Sequence, residues 1–334
     1  MKNNMLLISY GTRPEWIKIN PIIKVLKKKK IPFKTLFTGQ HITLVNNKAD
    51  ININIESGDN RLDSVVTSIL NKDNIFNGID KIMVQGDTVS AFSLALASFH
   101  RNIPVIHLEA GLRTYDINNP YPEEFYRRSI SSISNIHLCP TKNNLTNLLN
   151  EKINGKKFVV GNTIIDNLLP YSRKITYNNE IIITLHRREN HNIIKNWFLE
   201  IENLSNKNNK YNFIFIAHPN PNIQNNLNIF KNVKVINPLS YEKMIKKISC
   251  CKMLISDSGG IQEESSFFKK HVIICRKITE RPESIGLTSW LCKNYKYLSK
   301  LFNSIIDMKP STLPCPYGDG KSSERIVNIL YENI

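Results

Sequence analysis

No run of this 334-residue chain approaches the ~20 consecutive apolar residues that a membrane-spanning helix needs. The opening Met5-Leu6-Leu7-Ile8 is too short for the apolar core of a secretory signal and runs straight into a polar motif. The expectation is a soluble, cytoplasmic protein with no membrane partner. Cysteine is scarce and unpatterned: Cys139, Cys250, Cys251, Cys275, Cys292 and Cys315 form no Cys-x-x-Cys pair and no His–Cys metal spacing. No metal site is therefore expected. The thiols read as reduced and structural, with Cys139 and Cys275 in apolar strand-like runs where cysteine behaves as a small buried hydrophobe. The pattern Gly-x-x-x-x-Gly-Lys-[Ser/Thr] is missing too, which argues against a P-loop nucleotidase.

What the chain holds in excess is positive charge, formally +17. Clustered Lys and Arg bind phosphate backbones. Here the lysines are scattered among Asn and Ile and no nucleic-acid motif accompanies them, so no nucleic-acid partner is expected. The Lys27 to Lys30 run reads as a helix C-terminus, where cations suit the macrodipole. Such a charge excess still draws in a polyanionic substrate. An apolar fraction of 41% and a charged fraction of 22% exclude overall disorder, and the length allows two domains.

Short apolar β-rich runs alternate with segments of helical period, the pattern of a parallel sheet covered by helices. Strands are expected at Met5–Ser9, Lys34–Phe37, Lys81–Val84, Val105–Leu108, Ile136–Cys139 and Lys157–Val160. Ile19, Ile22, Ile23 and Leu26 mark one face of a helix in which Pro21 is tolerable only in an early turn or as a kink. The pattern restarts after Asp166, with strands at Ile181–Leu185, Phe213–Ala217, Val233–Ile236, Met253–Ser256 and Val272–Cys275. Two doubly wound, Rossmann-like α/β domains are expected, residues 1–168 and 169–321, with a ligand cleft between them. A closing helix at 322–334 presents Ile326, Ile329 and Leu330 on one face.

The chemistry-bearing blocks fall at expected strand ends, the edge where open α/β sheets bind ligands. Arg13 lies in the first. Asp87, Glu109 and Glu123 follow in three others, and carboxylates gathered in a closed site repel one another, which raises a pKa towards the range of acid–base work. Each also has an ordinary reading: Asp87 as a helix cap and Glu123 as a favoured first-turn acid. In the second domain, Ser258, Gly259 and Gly260 open a helix whose free N–H groups suit phosphate. Glu264, one turn on, suits a ribose diol. His186 ends the first strand of that half, and His218 ends the next in a block that also reads as a rigid turn.

Ten ordered blocks, among them Gly11 to Lys18, Thr38 to His41, Gly86 to Thr88, Glu109 to Thr114, Pro122 to Arg127, Gly161 to Asp166, His186 to Glu189 and Ser256 to Glu264, resemble the non-hydrolysing UDP-N-acetylglucosamine 2-epimerases. Thr279 to Glu283 and Pro316 to Gly320 complete the series. The resemblance implies a GT-B-like fold whose final helix packs back on the first domain, a UDP-sugar substrate, no metal or nicotinamide cofactor, and a homodimer. It implies acid–base roles for Asp87, Glu109 and Glu123, with His186 and Arg13 at the diphosphate. Phosphate is implied on Ser258, Gly259 and Gly260, ribose on Glu264, and charge-partner roles for Lys18, Arg127 and Arg281. C2 would be inverted by anti elimination of UDP and its re-addition. A hydrolysing epimerase and a GT-B glycosyltransferase are the alternatives. Where members with an allosteric substrate site carry Gln and Arg, this chain has Thr43 and Ser68, which argues against activation by a second UDP-sugar. Trp16 replaces a smaller residue, reshaping the pocket or filling core.

Overall fold

The computed structural model describes residues 5–40, 49–56 and 58–331. The chain divides into two compact units, Met1–Asn167 with Gly318–Ile334, and Leu168–Tyr317.

Unit 1 is a seven-stranded parallel sheet in the order β3-β2-β1-β4-β5-β6-β7. Its strands are β1 (Leu6–Tyr10), β2 (Phe33–Phe37), β3 (Ile51–Asn52), β4 (Lys81–Gln85), β5 (Val105–Leu108), β6 (Ile136–Cys139) and β7 (Lys156–Val159). Its helices are α1 (Arg13–Lys28), α2 (Arg61–Leu70), α3 (Val89–His100), α4 (Glu123–Ile133) and α5 (Lys142–Asn150). The strand order reverses between β1 and β4, the switch point at which such sheets open a crevice at their carboxyl edge. β1, β4 and β5 are buried throughout and mostly apolar, as suits strands covered on both faces.

Pro21 sits in the middle of α1, not in an early turn. It cannot donate to the carbonyl of Ile17, four residues earlier. The side chain of Asn167 does so instead, with Nδ2 2.8 Å from that oxygen. The helix thus keeps its apolar face, Ile19, Ile22, Ile23 and Leu26, fully in the core. Trp16 is half-buried and packs against the core of unit 1, its ring 4.8 Å from that of Tyr10.

Unit 2 is a six-stranded parallel sheet in the order β10-β9-β8-β11-β12-β13. It comprises β8 (Glu180–Thr184), β9 (Asn212–Ile216), β10 (Lys234–Ile236), β11 (Met253–Ser256), β12 (His271–Ile274) and β13 (Ser289–Leu291), with α6 (Ile194–Lys207), α7 (Pro221–Gln224), α8 (Tyr241–Cys250), α9 (Gly259–Phe267) and α10 (Leu298–Ile305). Its switch point lies between β8 and β11. The last helix, α11 (Ser322–Tyr331), belongs to unit 1 and packs on α1. Ile326, Val327 and Leu330 are its buried apolar residues, and the expected Ile329 is only half-buried. Asp166 caps it: its two oxygens accept the amides of Ser322 and Ser323 at 3.1 and 2.7 Å. No helix among the described residues is long and apolar enough to cross a membrane.

Candidate active site

In unit 1 the candidate residues converge on the carboxyl edge of β1, β4 and β5. Thr12 caps α1, and Glu15 closes a capping box by accepting the amides of Gly11 and Thr12 at 2.9 and 2.7 Å. The other oxygen of Glu15 accepts Thr88 Oγ1 at 2.8 Å, so this carboxylate ties the turn after β1 to the turn after β4. Burial pushes the Glu15 carboxyl upward, against the pull of these hydrogen bonds. Arg13, the first residue of α1, is half-buried and has no ion-pair partner among the described residues.

Lys18, further along α1, donates to both oxygens of Glu109 at 2.6 Å. Asn162 adds a bond of 3.2 Å to the same carboxylate, and Gln85 at the end of β4 adds another. Glu109 itself has φ +67°, a left-handed conformation that costs an ordinary residue roughly 1–2 kcal/mol. Backbone strain of this kind persists where the surroundings over-determine it, and three side chains hold this carboxylate in place.

Asp87 follows β4 but does not cap α3. Thr88 is the cap, its Oγ1 accepting from Ala91 N at 3.0 Å. Asp87 accepts from Arg127 Nε at 3.0 Å and from Nη2. The remaining Nη1 donates to Glu124 at 3.1 Å. Glu124, fully buried, also accepts the amides of Thr114 and Tyr115 at 3.1 Å. Glu123 heads α4 and is half-buried. The expectation of carboxylates raised by mutual repulsion thus meets a different arrangement, in which Asp87 and Glu109 each lie against a cation.

His107 escaped the sequence reading because it looks like one more member of an apolar strand. Its Nε2 lies 2.8 Å from the carbonyl of Gly86, the residue before Asp87. Burial pushes its imidazole down to about 3, so the ring is neutral and donates to that carbonyl.

In unit 2, His186 follows β8 and its ring stacks on that of His218, centroids 5.0 Å apart. Burial pushes the His186 imidazole down, while the carboxylate of Asp257 opposes the shift. Ser258 precedes α9 and makes no side-chain cap bond, so the first-turn amides of Gly259 and Gly260 remain available to an anion. Arg281 lies against that turn: a Cβ on Gly259 would come within 2.9 Å of its Cζ. The guanidinium donates to Glu263 at 2.6 Å and to Glu280. Arg276 bridges Glu189 and Glu280 at 2.7 and 2.9 Å, making a buried charge network under the turn. Glu264 is buried in α9, beside the phenol of Tyr241, which burial and that carboxylate push upward. Thr43 lies outside the described residues. Ser68 is buried in α2, its Oγ accepting from the amide of Glu56 at 3.0 Å.

Residues 24–331 match the family model for UDP-N-acetylglucosamine 2-epimerase. The UDP-N-acetylglucosamine 2-epimerase of Neisseria meningitidis is 36% identical over 98% of this chain and 99% of its own. A crystal structure from that organism, bound to UDP-GlcNAc, superposes with a TM-score of 0.89 at 35% identity, covering 98% of this chain and 100% of that one. The Methanocaldococcus jannaschii structure in complex with UDP-GlcNAc and UDP gives a TM-score of 0.84 at 32% identity, over 98% and 99% of the two chains. MurG of Acinetobacter baumannii, at 11% identity and a TM-score of 0.57, shares the fold alone. Two parallel sheets with GT-B-like neighbours, a family model over most of the length and relatives matched end to end lead to one conclusion: the chain belongs to the UDP-N-acetylglucosamine 2-epimerase family of carbohydrate isomerases.

Proposed function

We propose that the chain is a non-hydrolysing 2-epimerase of a UDP-2-acetamido sugar, interconverting UDP-GlcNAc and UDP-ManNAc or a related UDP-deoxy-acetamido pair for surface glycan synthesis. The observation that carries this reading is the pairing of Lys18 with Glu109 and of Arg127 with Asp87 at one sheet edge. Carboxylates held at fixed positions on one edge meet the geometric requirement for removal of a C2 proton and its return. In the first half-reaction a carboxylate takes the C2 proton, the C1–C2 double bond forms, and the C1–O bond breaks with its electron pair leaving on UDP. In the second, UDP re-adds at C1 and a proton arrives at C2 from the opposite face. Asp87, Glu109 and Glu123 divide the proton transfers. Arg13, His186 and the first-turn amides of α9 stabilise the charge growing on the leaving diphosphate, and Glu264 holds the ribose. C2 returns to its original oxidation level, so the cycle needs no redox cofactor.

Incubation with UDP-GlcNAc in heavy water is expected to give a C2-inverted UDP-sugar with deuterium at C2, read by NMR. Absence of exchange with every member of a panel of UDP-2-acetamido sugars overturns the proposal. Free N-acetylmannosamine with UDP points to a hydrolysing enzyme, and transfer to an acceptor without C2 exchange to a glycosyltransferase.

A further inference from the structure

At the carboxyl edge of β8 and β11 one carboxylate organises the His186 loop. Asp257 is 0% exposed. Its oxygens accept the amide of His186 at 3.1 and 3.0 Å, the amide of Arg187 at 2.9 Å and Nδ2 of Asn190 at 3.0 Å. The same Asn190 nitrogen reaches the carbonyl of Cys275 at 3.0 Å, so the loop is pinned to the ends of both β11 and β12. A neutral acceptor could hold these amides as well. What a carboxylate adds is charge, and Asp257 Oδ1 lies 3.7 Å from Nδ1 of His186. That is too long for a hydrogen bond but within ion-pair reach.

The other titratable or charged groups acting on the ring are Arg187, His191 and the stacked His218, and all three disfavour a proton on it. We propose that Asp257 is a positioning residue, which sets the place of His186 through its backbone and supplies the counter-charge for an imidazolium when a diphosphate arrives. The proton comes from solvent, and the N–H so formed donates to a diphosphate oxygen as the C1–O bond breaks. This rests on the reading that His186 serves the diphosphate.

Asp257→Asn keeps the shape and one acceptor while removing the charge. Imidazole NMR, with His186→Gln identifying the signals, is expected to show the His186 titration moving to lower pH. The basic limb of the kcat profile moves with it and kcat falls about tenfold or more, as loss of an opposite charge at this range entails, while KM changes less. Asp257→Glu, which retains the charge, keeps the titration near its original position. An unmoved titration in folded Asp257→Asn overturns the proposal and leaves Asp257 a backbone clamp. If that variant fails to fold, the carboxyl carbon of Asp257 in the unaltered protein decides. An inflection at the His186 midpoint, lost in His186→Gln, supports the proposal, and its absence overturns it. These titrations need no turnover, so a failure of C2 exchange is a separate result that sinks the functional reading alone.

Discussion

Gly259 shows how tightly one residue can be specified by its neighbours. Arg281 cannot swing away from an added methyl without leaving Glu263 and Glu280, which hold it at Nε and Nη1. Gly259→Ala is therefore expected to cost about 1–3 kcal/mol of stability, the range for overpacking a closed site, and to weaken UDP binding. Thermal unfolding and isothermal titration with UDP check the two effects; an alanine variant with unaltered UDP affinity contradicts the anion site. The family resemblance implied charge-partner roles for Lys18, Arg127 and Arg281. It could not pair them, since Lys18 and Glu109 lie 91 residues apart and meet only through the sheet. Asp257 was in plain view inside its block yet unassigned. Two of its partners, the amides of His186 and Arg187, are backbone groups of another strand end, which leave no mark on the pattern of side chains.

At the scale of elements, α1 depends on a residue from outside itself. Removing the Asn167 side chain leaves the Ile17 carbonyl without its donor, at a cost of about 1 kcal/mol or more. In a Pro21→Ala background residue 21 regains an N–H for that carbonyl, so Asn167→Ala should cost less there. A double-mutant cycle by urea denaturation measures the coupling, and additive effects dismiss it. Strands covered on both faces were legible to within a residue: Val105–Leu108, Ile136–Cys139 and Met253–Ser256 coincide with β5, β6 and β11. The two- and three-residue edge strands β3 and β13 were not. Asn144, in a polar stretch of α5, is nonetheless buried, as the residue that closes the capping box with Thr141. Capping overrode polarity there.

For the molecule as a whole, buried histidines make stability depend on acid, His107 and His137 most strongly. Burial depresses His107 to about 3 and His137 to about 4, from an ordinary 6.5. Above about 6.5 the folded and unfolded imidazoles are both neutral and this stability is fully present. As pH falls below that value the unfolded chain takes protons that the fold refuses. Stability then declines by about 1.4 kcal/mol per pH unit for each histidine, until the folded groups protonate near 4 and 3. Denaturant unfolding between about pH 7 and 5 should show a slope of this sign, and His107→Gln should reduce it by one histidine's share, about 1.4 kcal/mol per pH unit; an unaltered slope counts against the assignment. The division into two α/β halves was legible because the alternation of strand and helix restarts after Asp166. Asp166 itself, read as part of a motif, is the cap of α11, and the chain leaves unit 1 and re-enters it at hydrogen-bonded residues. Unit 2 is thus an insertion within unit 1, and the consequence falls on biosynthesis. The half of the protein that leaves the ribosome first is finished last, since α1 waits through all of unit 2 for the helix that covers it. A stop codon in the final stretch therefore damages the amino-terminal unit and spares the one translated just before it.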